Sequence, residues 1–195
     1  MMKKILSLVL LFVLLCSGTA LAEKRLPLVR QGPRPKVAVL YLNQSEAAYH
    51  KSVDKTILEN LNEELMYLSV DVVDSRPFMQ RLKKNGVADF AMAERRDLTE
   101  VFHGSNVDYV ICVQVDPFYR KATTSVFSKG VKMTASVPFR MIDLKNDRFI
   151  YNGKFQATDG KSKMIGATGN RSVSLKVLRL VNKQINEVLN EKLAE

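Results

Sequence analysis

The sequence predicts an α/β domain, a mixed sheet in a two-layer or three-layer sandwich entered through a β-α-β unit and closed by an antiparallel hairpin and an amphipathic helix. Three observations predict it. A continuous apolar run, Val37 to Leu42, precedes a four-residue apolar repeat, Val53, Ile57, Leu61 and Leu65, and then a second apolar stretch around Val70, which is the order strand, helix, strand. From Val131 the apolar residues fall on alternate positions, Val131, Met133, Ala135, Val137, Phe139 and Met141, and Phe149, Tyr151, Phe155 and Ala157 repeat the pattern, as one-sided paired strands do. The last stretch, Ser172 to Leu193, places Leu175, Leu178, Val181, Ile185, Val188 and Leu189 at helical spacing.

The N-terminal segment has the form of a secretory leader. Lys3 and Lys4 precede an apolar core from Ile5 to Cys16, and Ala20-Leu21-Ala22 offers a small-residue cleavage site. Its core is shorter than the roughly 20 residues a spanning helix needs, so residues 1–22 are expected to be removed, with the product periplasmic or secreted. Cys16 leaves with the leader, and Leu14-Leu15 before it lacks the small residue that precedes a lipid-anchored cysteine. No lipid anchor is expected, and no transmembrane segment in the mature chain.

The remaining 173 of 195 residues are enough for one domain with a real core, expected over 36–195. Twenty-eight Lys and Arg against 20 Asp and Glu keep it basic, which favours anionic neighbours. Cys112 is then alone, in the apolar run Tyr109 to Val113, and is expected to be buried and inert. Residues 23–35, with Arg25, Arg30 and Arg34 among three prolines and a glycine, resist both helix and ladder and read as a flexible basic arm.

Along the domain, Lys36 introduces the first strand and Asn43-Gln44-Ser45 a loop before the first helix. Leu68 to Val73 is expected as the second strand. Ser75-Arg76-Pro77 starts a short helix with Phe78, Met79 and Leu82, stopped at Asn85-Gly86. Asp97 with Glu100 resembles a capping box for a further helical turn or two, and Val107 to Val115 is the third buried strand. The hairpin turns at Lys145-Asn146-Asp147, and Pro138 calls for an edge or a bulge in it. Asp159 to Asn170 reads as loop.

No constellation commits the chain to catalysis. His50 and His103 stand about fifty residues apart, and His50 has only Asp54 at helical spacing, so neither metal nor other cofactor is expected. There is no G-x-S-x-G elbow for a serine nucleophile. Gly160, Gly166 and Gly169 ahead of Asn170-Arg171-Ser172 could offer backbone amides to an anion, helped by Lys161, Lys163 and Arg171, but their spacing fits neither phosphate-loop pattern. The polar side of the hairpin, Lys132, Thr134, Ser136, Arg140, Arg148, Lys154, Gln156 and Thr158, is basic and hydroxyl-rich. Candidate binding residues are therefore Lys132, Arg140, Arg148, Lys154 and Arg171. The aromatic residues of the hairpin lie on its apolar side, which argues against nucleic acid.

The run Lys36-Val37-Ala38-Val39-Leu40-Tyr41-Leu42-Asn43-Gln44-Ser45, the helix, Val70-Asp71-Val72-Val73-Asp74 and later Val107-Asp108-Tyr109-Val110-Ile111 resemble bacterial envelope domains of the curli-secretion (CsgG), LpoB and TolB N-terminal type. The chain departs from them at Tyr41-Leu42, where proline-phenylalanine is common, and at Cys112, where glycine is. The resemblance implies a non-catalytic adaptor of the envelope and transfers no binding residues. The leading expectation is thus an exported, non-enzymatic domain that binds an envelope protein or an anionic envelope component. The alternative is a hydrolase or transferase acting on an envelope polymer through Asp116 at the end of the third strand.

Overall fold

In the computed structural model, which describes residues 26–124, 128–163 and 170–194, one mixed sheet carries helices on both faces. Its strands are β1 (Lys36–Asn43), β2 (Asp71–Val73), β3 (Tyr109–Val115), β4 (Tyr119–Thr124), β5 (Lys129–Asp143) and β6 (Arg148–Lys163). The helices are α1 (His50–Tyr67), α2 (Arg76–Lys84), α3 (Arg95–Glu100) and α4 (Asn170–Leu193). β1 lies parallel between β2 and β3, and β3 pairs antiparallel with the C-terminal half of β5. β4 takes over beside the N-terminal half of β5, and β6 follows β5 along its other side.

Two cores result. On one face α1 and α4 cover alternate residues of the sheet, from Val37 through Ile111 and Val113 to Phe139, Met141 and Ala157. On the other, Leu82, Phe90, Leu98 and Phe102 cover Ala38, Leu40, Val110, Cys112 and Ile142. The sandwich therefore has three layers over the parallel strands. Over the distal ribbon of β4, β5 and β6 no described residue joins the second core, and it has two. Cys112 is buried, and its desolvation pushes the thiol up to about 12.

Local physics moved several boundaries. The second strand begins only at Asp71, because Leu68, Ser69 and Val70 close α1 instead. Ser69 adopts φ 52°, its N–H donates to Met66 O and that of Val70 to Leu65 O, a Schellman ending in which Val70 and Leu65 join the same core. The capping box of α3 sits three residues early. Glu94 is the N-cap, with Asp97 at N3 accepting from its backbone N–H at 3.0 Å, and Leu98 then points inward.

The hairpin is longer than its apolar pattern. β6 continues to Lys163, through what reads in sequence as loop, because its ladder with β5 persists while one face meets water. Pro138 lies neither at an edge nor in a bulge. It falls between Phe139, the last partner of β3, and Ser136, whose carbonyl accepts from Asp116 N, so its missing N–H costs nothing where β3 hands over to β4. The bulge is at Met141/Ile142. β4 itself is absent from the sequence expectation, since all six of its residues are exposed and none alternates with an apolar partner.

α1 and α4 run parallel, joined by a polar ladder with a constant offset of 126 residues. Asn182 Nδ2 donates to Thr56 O at 2.9 Å, Asn60 and Asn186 exchange side-chain bonds, and Asn190 Nδ2 donates to Glu64 Oε1 at 2.5 Å. A slip of either helix would bury these groups without partners, so the ladder fixes their register. The stretch expected as an arm is tied along α1: Leu28 N–H donates to Tyr67 O, Arg30 Nε to Leu68 O and Ser69 Oγ to Leu28 O. Residues 1–22, the expected leader, lie outside the described residues.

Candidate functional site

The ribbon of β4, β5 and β6 builds a polar face from strand register alone. Even-numbered positions of β5 point away from α1 and α4, and residues directly opposite them share that side. Tyr119, Thr134 and Thr158 form one rung, Lys121, Lys132 and Gly160 the next, and Thr123, Gly130 and Ser162 a third. Toward the parallel strands the face continues with Ser136 and Gln156, then Pro138 and Lys154. These strand positions hold three lysines, many hydroxyls and no carboxylate. Thr134 and Thr158 bond each other at 2.7 Å.

Lys121 stands directly opposite Lys132, both exposed and neither paired with a carboxylate among the described residues. Like charges across a rung are mutually repulsive. An anion above the rung would relieve that repulsion. Gly160 completes the rung, and a Cβ there would meet Val131 O at 3.2 Å, so the third strand adds no side chain beside the two ammonium groups.

The five residues expected from sequence do not converge. Lys132 and Lys154 share the open face, six positions apart along the ladder, about 20 Å. Arg140 is on the same side but under the second core, where its guanidinium donates to Ala93 O and Ala91 O and lies 5.5 Å from the centre of the Phe149 ring. Arg148 is at the opposite end of β6, 3.9 Å from Asp143; hydrogen bonds from Asn146 overcome the desolvation of that carboxyl and hold it below the usual range. Arg171 is exposed in the first turn of α4. Sequence reasoning missed Tyr119 and Lys121. Their only signal was a polar, β-branched stretch after Pro117, too weak to outline a strand.

The ends of β1 and β3 hold the remaining polar cluster. Asp116 is half-buried and accepts from Gln114 Nε2 at 3.0 Å and Ser136 Oγ at 2.7 Å. Its described partners include no second carboxylate. Tyr41 OH and Asn43 Nδ2 both donate to Asp54 Oδ1, at 2.8 and 2.7 Å; burial, reinforced by Asp54, holds the Tyr41 phenol protonated far above its ordinary range. His50 Nε2 lies 2.6 Å from Ser45 O. No three His, Cys, Asp or Glu side chains among the described residues are grouped to hold a metal ion. No helix among them is long and apolar enough to cross a membrane.

No family model matches the chain, and no curated protein sequence does. Among solved structures it is similar to the lipoprotein GNA1162 from Neisseria meningitidis, at 18% identity and a TM-score of 0.40, covering 79% of this chain and 99% of that one. The hypothetical protein CT253 from Chlamydia trachomatis is similar at 12% identity and a TM-score of 0.47, over 79% of this chain and 96% of that one. The LpoB C-terminal domain from Salmonella enterica matches at 12% identity and 0.32, over 65% and 85%. No function passes to this chain through likenesses of that size.

Proposed function

We propose that the chain is an exported, non-enzymatic binding module of the bacterial envelope that takes an anionic envelope component on the open face of β4, β5 and β6. The observation that carries this is the rung Lys121–Lys132, two like charges opposed and neither paired with a carboxylate among the described residues. Hydroxyls at Thr123, Thr134, Thr158 and Ser162 supply donors beside them, and the basic composition of the chain draws anions toward it. The leader-like N-terminus supports export. Lys154 extends the face toward the parallel strands.

A photoreactive residue placed at Thr134 in the native host tests the reading, with Glu59 on the exposed side of α1 as the control position. A captured species at Thr134 and none at Glu59 is expected. Its identity as lipid, glycan or acidic protein then names the component. No capture at Thr134, or equal capture at both positions, overturns the proposal.

A further inference from the structure

We infer that the ribbon tip docks on an anionic phospholipid bilayer, its cations seated among the headgroup phosphates. The inference rests on the binding-module reading above and names its partner. Arg120, Lys121, Lys129, Lys132, Lys161 and Arg171 are all exposed around the last five rungs of β4, β5 and β6 and the first turn of α4. The one carboxylate among the described residues of this tip, Asp159, is bound to Lys176 Nζ at 2.6 Å, which lowers its pKa. Among the described residues these six cations therefore have no counter-charge.

Their distribution selects the partner. Lys121 and Lys132 are on the open face, whereas Arg120, Lys129 and Lys161 alternate with them onto the side of α4. A linear polyanion lying along a sheet would engage one face. A headgroup layer surrounds whatever enters it and meets both. The cations span five rungs, four steps covering about 14 Å of strand, and lysine stems lean several ångströms further to place their ammonium groups at phosphates. Attraction of this kind is additive over nearby cations and is screened by salt.

Co-sedimentation of the mature chain with vesicles tests this. Binding to phosphatidylglycerol mixed with phosphatidylcholine is expected, none to phosphatidylcholine alone, and release by added salt. Lys121→Ala on one face and Lys161→Ala on the other should each weaken binding about fivefold. Lys84→Ala, exposed on α2 over the parallel strands, should leave it unchanged. Indifference to lipid charge, or a loss confined to one face, overturns the inference. Absence of vesicle binding with capture persisting at Thr134 removes the lipid partner and leaves the module reading standing; absence of both removes both.

Discussion

The two halves of the sheet obey different rules. In the parallel half, β1 and β3 are buried on both sides, with Val37, Ile111 and Val113 facing one core and Ala38, Leu40, Val110 and Cys112 the other. In the distal ribbon, from Val131 to Ser136 of β5, only the odd-numbered side is covered, and Lys121, Lys132 and Thr158 meet water. Two-sided burial writes a continuous apolar run in the chain, and one-sided burial writes alternation. Stability should therefore concentrate in the covered half and at its join with the ribbon. The open half is free to carry charge.

The largest effect is expected at that join. Phe139 is fully buried, pairs with Val113 and packs against the rings of Tyr151 and Phe155 at 5.7 and 5.3 Å. Phe139→Ala should cost about 3–5 kcal/mol by chemical denaturation. A loss below about 1 kcal/mol would mean that the two halves are not held by a common core.

Alkaline titration separates the halves by a different route. Cys112 and Tyr41 belong to the parallel strands, and burial raises both pKa values, the thiol to about 12. Above the ordinary values of 9.0 and 10.0 the unfolded chain loses protons that the folded chain keeps. Stability is thus complete below pH 9 and falls as pH rises, at most about 1.4 kcal/mol per unit per group. Between pH 9 and 12 Cys112→Ala should flatten the curve, measured as denaturation midpoint against pH. An unchanged slope would refute the buried thiol as a source.

Two cationic residues on the same side of β5 sharpen the contrast. Arg140 gives its guanidinium to the carbonyls of Ala91 and Ala93, which hold the covering segment. Arg140→Ala should cost about 1–3 kcal/mol, because both carbonyls lose their donor. Lys132→Ala, eight residues earlier and in water, should change stability by less than about 0.5 kcal/mol, or raise it slightly by relieving Lys121. Urea midpoints of the two variants decide it; equal losses would erase the distinction between a structural and a surface cation.

How much of this was legible follows from what each contact leaves in the chain. β1, β3 and α4 were, because burial selects apolar residues at fixed periods. The candidate face was legible in part: Lys132 and Lys154 followed from alternation. Lys121, opposite Lys132, did not, because β4 forms through backbone pairing with β5 and selects no side chains. Arg140 and Lys132 look alike in the alternating pattern. Only the path of residues 90–93 over one of them separates their roles.

By itself the sequence determined the α/β class, the order of its main strands and helices, the long hairpin and the burial of Cys112 and Ile185, because hydrophobic periodicity is a local record of which faces are dry. Tertiary structure alone decided the rest. The ending of α1 depends on a backbone turn at Ser69, and the Asn182–Asn186–Asn190 ladder matters only because α1 lies parallel beside α4. The cationic tip exists because β4, β5 and β6 bring together residues from three separate stretches of the chain. Charge leaves no period, so its clustering is written in the pairing of strands and not in their order.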